Sequence, residues 1–326
     1  MTAPAGQNPF LFVVGCPRSG TTLLQRMLDA HPQLAVANDT HFIPRALEAV
    51  RPRALEDDGA LGDASALPEL VSWVRGYYRF ARMGLHEAGF EEAAGSAHDY
   101  REFVSLLYTQ FARQHGKERG GEKTPDYVRH LPFLHRLFPW ARSVHIIRDG
   151  RDVALSIAEW ACRDGRRKGP AKLALWREQP VATCALWWRW QVRLGRRSRS
   201  VLPPGAYHEV RYERLVDDPE AALRSVASFL GLPFSGRMLT FNEGKVRQEE
   251  GLSAKKAWLP PTPGLRDWRI QMKPNDVELF EALAGDLLCE LGYPRASERV
   301  SSATCAVAEQ CRRWWEENFK RCPEES

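Results

Sequence analysis

Apolar and polar positions along the chain fall into two kinds of segment. Short apolar runs at Phe10–Val14 and Leu34–Ala37 read as buried strands of a parallel sheet, because they leave no polar face, and Ser143–Ile147 reads as another strand. Tyr207–Tyr212 alternates and reads as a further short strand. Other segments carry apolar residues at helical spacing. Leu23, Leu24, Met27 and Leu28 share one helix face, and similar stretches predict helices over 70–83, 99–115, 127–138, 153–160, 170–200 and 274–292. Asp218-Pro219 caps another helix, which runs to Gly231. Residues 48–70 show no strong period. Gly121–Asp126 reads as a polar turn with Lys123 at its centre, and Phe241–Gly264 as a long irregular section. Strands alternating with helices predict an α/β fold, a parallel β-sheet flanked by helices on both faces. It forms a single domain over residues 9–293, followed by a helical tail over 294–326.

The turn after the first strand is the centre of the candidate chemistry. Gly15-Cys-Pro-Arg-Ser-Gly-Thr-Thr22 lies between a strand and a helix, where free N–H groups and the positive end of the helix dipole favour an anion. Gly15, Gly20 and Thr22 match the spacing of the P-loop pattern. Thr21, however, stands where that pattern places the lysine that reaches the β- and γ-phosphates, and the cation has moved into the loop at Arg18. The bland alternative is a tight turn with no ligand. Strand 143–147, the basic turn Arg148–Asp152 and a helix carrying Ser156 repeat the layout, so the two loops together suit a ligand with two separated phosphate-like groups. The strand at 34–37 delivers Asn38-Asp39-Thr40-His41 to the same sheet edge.

Composition narrows the function classes. With 326 residues, 44% hydrophobic and 27% charged, the chain has ample core for a globular protein. A net charge of +5 suits an anionic cofactor or substrate and is too small to argue for nucleic acid. Seven scattered cysteines show neither a disulfide framework nor zinc-ligand spacing, so no metal site is expected. There is no signal-peptide pattern at Met1–Pro9 and no apolar run near 18 residues, so the expected location is cytoplasmic, without stable membrane insertion.

Pro17-Arg-Ser-Gly-Thr-Thr22, Arg148 with Ser156 eight residues on, and Arg211-Tyr-Glu-Arg-Leu-Val216 with Asp218-Pro219 resemble the sulfotransferases that use 3′-phosphoadenosine 5′-phosphosulfate (PAPS). The resemblance covers residues 9–293 and implies a P-loop-like fold. It implies that Arg18, Ser19, Gly20, Thr21 and Thr22 hold the 5′-phosphosulfate, that Arg148 and Ser156 hold the 3′-phosphate, and that Tyr212 lies near the nucleoside. The loop before Trp268, with Ser253, Lys255, Lys256 and Arg266, would close over the cofactor; here Arg266-Asp-Trp-Arg269 keeps only the Asp-Trp of the cytosolic pattern.

The first 45 residues look most like the protein-tyrosine sulfotransferase branch, through Pro17 to His31-Pro32, Asn38-Asp-Thr40 and Ile43-Pro-Arg45. Asp39 occupies the position of that branch's catalytic glutamate, one methylene shorter. The cytosolic branch uses the histidine of Lys-Thr-His instead, and Lys123-Thr124-Pro125 lacks it. The resemblance therefore implies Asp39 as general base with His41 in reserve, Lys123 at the sulfuryl oxygens, no metal, and a small-molecule or peptide hydroxyl as acceptor. Self-association is left open. Asp39 also suits the N-cap of a helix at 41–50. Rival functions are a P-loop kinase-like phosphotransferase and a non-catalytic nucleotide-binding module.

Overall fold

The computed structural model describes residues 7–55, 64–161, 167–243, 264–296 and 299–319. At its centre is a five-stranded, all-parallel sheet: β1 (Leu11–Val14), β2 (Leu34–Asn38), β3 (Arg119–Lys123), β4 (Arg142–Ile147) and β5 (Tyr207–Arg211), in the order β2-β3-β1-β4-β5. The α/β architecture is the one the apolar runs predict.

One strand corrects the sequence reading. Gly121–Lys123 is not part of a turn; it belongs to β3, which lies between β1 and β2 with Gly121 in register with both Leu11 and Val36. No apolar run marks Arg-Gly-Gly-Glu-Lys as a strand. Its glycines are there because neighbours come too close for a side chain. A Cβ on Gly120 would meet the Tyr108 carbonyl oxygen at 2.4 Å, and one on Gly121 the Leu11 carbonyl oxygen at 2.9 Å. Glu122 is buried and fully committed, accepting from the Thr40 N–H at 3.0 Å, the Tyr108 hydroxyl at 2.8 Å and the Thr124 hydroxyl at 2.5 Å.

Prolines and glycines also shorten several expected helices. The segment at 70–83 is a helix over Leu67–Gly76 and a 3₁₀ turn at Phe80–Met83. That at 127–138 is a 3₁₀ turn, Pro125–Arg129, and then a helix, Leu131–Leu137, with Pro132 in its first turn. In the segment at 170–200 the α-helix begins only at Pro180 and ends at Ser198. Tyr212 does not end β5 but opens the helix Tyr212–Asp217. Asp218 caps helix Pro219–Leu230 by accepting from the Ala221 N–H at 3.1 Å, and Gly231 closes it at φ 65°.

Strand alternation divides the core in two. Phe12, Val14, Ala35 and Ala37 point into one cluster with Phe42, Tyr100, Phe103, Tyr127 and Phe138. Leu11, Val13, Leu34, Val36, Val144 and Ile146 point into the other, with Leu24, Met27, Leu28 and Val226. On β4 the polar Ser143 and His145 also lie fully buried, and each finds a partner. The His135 Nε2 is 2.8 Å from the Ser143 hydroxyl, and the His145 Nδ1 is 2.6 Å from the Tyr207 hydroxyl.

The chain divides into two compact units. One comprises 1–16, 20–147 and 194–261 and contains the sheet; the other comprises 17–19, 148–193 and 262–326. In the second, helix Ser302–Asn318 leads to Phe319, whose ring lies 4.7 Å from that of Trp190. Buried Arg151 is the polar centre of this unit. It pairs with Asp149 at 2.7 Å and Glu281 at 2.6 Å, donates to the Pro294 carbonyl at 2.9 Å, and stacks 3.6 Å over the Trp268 ring. Among the described residues no helix is long and apolar enough to cross a membrane.

Candidate active site

The sheet-containing unit carries Gly15 and Gly20, at the two ends of the first loop, and the carboxylate of Asp39. Gly15 has φ 154°, and a Cβ there would meet the Ile146 carbonyl oxygen at 2.5 Å. Gly20, at φ 96°, precedes helix Thr21–Asp29, which therefore starts without a side-chain cap. Its backbone lies so close to the Tyr212 ring that a Cβ would come within 2.3 Å of Cδ2. Tyr212 thus packs directly on the loop, while Thr21 and Thr22 form the opening turn of the helix, where N–H groups have no intrahelical acceptor.

Asp39 and Lys123 come from the carboxyl ends of neighbouring strands. Asn38 and Lys123 are in register, and the Asp39 N–H donates to the Lys123 carbonyl at 2.7 Å. Asp39 does not act as an N-cap: helix Phe42–Val50 has His41 at that position and no side-chain capping bond. Its carboxylate is held from both sides instead. Oδ1 is 2.9 Å from the His41 Nε2, and Oδ2 accepts from the Arg82 guanidinium at 2.7 Å. Burial alone would raise the Asp39 pKa. The His41 hydrogen bond and the charges of Lys123, His41 and Arg79 outweigh it and hold the carboxyl well below its ordinary value. His41 Nδ1 looks toward Asp126 Oδ2 at 3.9 Å, and Arg45 pairs with Glu48 at 2.9 Å.

The second unit gathers the remaining cations. Arg18, in the left-handed region at φ 79°, donates its Nε–H to the Ser156 hydroxyl at 3.1 Å. Two motifs 138 residues apart are thereby joined by one hydrogen bond. Ser19 is buried, and its hydroxyl has no hydrogen-bond partner among the described residues. Arg148 is buried at the start of the turn after β4, where it faces Asp152 Oδ2 at 3.3 Å, and its carbonyl accepts from the Trp188 indole at 3.2 Å. Arg266 pairs with Glu159. Lys255 lies outside the described residues, as do Ser253 and Lys256.

Residues 9–236 match the sulfotransferase family. The chain belongs to that family. Protein-tyrosine sulfotransferase 1 of Danio rerio is 26% identical over 295 residues, covering 87% of this chain and 72% of the relative. Nodulation protein NoeE of Sinorhizobium fredii is 26% identical over 341 residues, covering 94% of this chain and 73% of the relative. A solved sulfotransferase domain, from the Synechococcus PCC 7002 olefin synthase, shares the fold with a TM-score of 0.54 at 21% identity over 95% of each chain.

Three groups in this sulfotransferase chain escaped the sequence reading. Arg82 is 43 residues from Asp39 and sits on a turn that the helical pattern concealed. Glu122, which holds the Thr40 amide beside Asp39, lay in the misread strand. Asp152 did leave a trace, since it stands four residues after Arg148, the spacing of an ion pair on a helix.

Proposed function

We propose that the chain transfers a sulfuryl group from PAPS to the hydroxyl of a small-molecule or peptide acceptor. The Arg18–Ser156 hydrogen bond carries this reading, because it unites the cation of the first anion loop with the hydroxyl of the second. The positive-φ glycines and the unpartnered Ser19 hydroxyl fit an anion bound on the loop. When bound, PAPS supplies the activated sulfuryl group, and the chain's own residues do the rest. Arg18, Ser19, Thr21, Thr22 and the loop amides of Gly20 and its neighbours meet the charge beside the 5′-phosphate. Arg148 and Ser156 hold the 3′-phosphate, Tyr212 lies by the nucleoside, and Lys123 offers its ammonium to the sulfuryl oxygens.

Asp39 takes the acceptor proton. Its depressed pKa keeps it ionised across the physiological range, and His41 and Arg82 fix its two oxygens. Substitution Asp39→Asn tests the assignment, because asparagine tolerates the observed φ of 62° and, at nearly constant volume, removes the charge and replaces one acceptor oxygen with an NH2 donor. Turnover falls by about 10²–10⁴-fold, while calorimetric affinity for 3′,5′-adenosine bisphosphate stays unchanged. Unimpaired turnover would refute the base assignment. Relatives named protein-tyrosine sulfotransferases place peptide tyrosine first among acceptors to screen.

A further inference from the structure

We propose that Asp152 is a resident counter-anion for Arg148 that yields the guanidinium to an incoming phosphate and takes up a proton from solvent as it does so. The inference rests on the reading above, in which Arg148 receives the 3′-phosphate. Both side chains are nearly withdrawn from water, at 7% and 14% exposure, and they meet at 3.3 Å. A phosphate on the same guanidinium would bring a second anion beside the carboxylate in a poorly screened place, and two such anions do not both keep their charge.

The carboxyl is the group prepared to give way. Among the described residues the charged groups that act on it most strongly are Arg148 and Asp149, and the backbone N–H of Trp268 donates to its other oxygen at 2.9 Å. Burial raises its pKa and neighbouring Asp149 adds to this. The charge and hydrogen bond of Arg148 and the Trp268 N–H pull the other way, and the balance lies at about 6. Asp149 itself is locked, with both oxygens on Arg151. Protonation at Oδ2 leaves Oδ1 on the Trp268 amide, so the start of helix Trp268–Gln271 keeps its tie to helix Gly150–Ala161. The new O–H can donate to the phosphate. No covalent bond changes; one proton moves from solvent to the carboxylate.

Calorimetric titration of the full chain with 3′,5′-adenosine bisphosphate, in buffers of different ionisation enthalpy, counts the protons taken up. Asp152→Asn retains an oxygen for the Trp268 amide without the charge, and Asp152→Ser serves where the amide does not fold. Because the ligand's own phosphate titration is common to both proteins, the difference isolates residue 152. At pH 7 the unaltered chain takes up ~0.5–1 proton more per ligand than the variant. The variant binds up to about 100-fold more tightly at pH 8, and this advantage shrinks to about twofold at pH 6. Equal proton uptake and a pH-independent affinity ratio, with binding still lost in Arg148→Ala, would overturn this inference alone. Bisphosphate that fails to bind, or that binds Arg148→Ala as tightly as the unaltered chain, would overturn the underlying reading.

Discussion

Arg18, Asp39 and His41 are the non-glycine residues with positive φ among the described residues, at 79°, 62° and 60°, and all three lie in loops that leave the carboxyl ends of β1 and β2. Such conformations cost of order 1–3 kcal/mol each and persist where neighbours over-determine them. At Asp39 those neighbours are His41, Arg82 and the Lys123 carbonyl. Gly20 is constrained from the other direction, by space: Gly20→Ala drives a methyl into the Tyr212 ring at a φ that alanine disfavours. On the proposed function, bisphosphate affinity in that variant drops at least about tenfold, an effect of ~1.4 kcal/mol, measured by calorimetry; undiminished affinity would remove Tyr212 from the proposed nucleotide site. Arg18, Thr21, Thr22 and Ser156 could be singled out as candidates because their signal lies in short spacings around a strand end. Arg82 was not, since its partner lies far away in the chain and only the folded chain brings the charges together.

At the scale of elements, strands announce themselves by apolar runs or by alternation, and four of the five did. β3 carries its information in absent side chains: Gly120 and Gly121 admit the Tyr108 and Leu11 backbones, and Glu122 is buried with three donors rather than with hydrocarbon. Pattern reading took that stretch for a turn because glycine and charge usually mean one. Gly120→Ala should therefore be far costlier than an ordinary surface change, on the order of 2–4 kcal/mol. Urea denaturation checks it, and a loss below about 0.5 kcal/mol, the range of ordinary surface substitutions, would mean that the close approach to Tyr108 is easily relieved. The carboxyl end of β3 is also what brings Lys123 beside Asp39, so the misread element and part of the missed site geometry have one origin.

For the molecule as a whole, the α/β class was legible from alternating patterns, whereas its division into two interleaved units was not, because each is assembled from separated segments. Three histidines with strongly lowered pKa values dominate its response to acid. Burial takes His130 and His145 from 6.5 to about 3 and His135 to about 4. A group with a depressed folded pKa contributes its full stability above the unfolded value and loses it as pH falls toward the folded one. Between pH 7.5 and 5.5 the three forfeit about 4 kcal/mol, and Asp152, whose pKa is raised, returns roughly 1 of these. Urea denaturation at the two pH values should register the net loss; a flat profile would mean that the histidines are not kept neutral in the fold. Arg151 has a consequence in time. Asp149 precedes it, but Glu281 and the Pro294 carbonyl follow it by 130 and 143 residues. On a translating ribosome, at about 5–20 residues per second, its guanidinium waits on the order of ten seconds for them. The unit built around Arg151 is thus the last to close during synthesis, and a nascent chain halted short of Glu281 would hold a cation that it cannot bury.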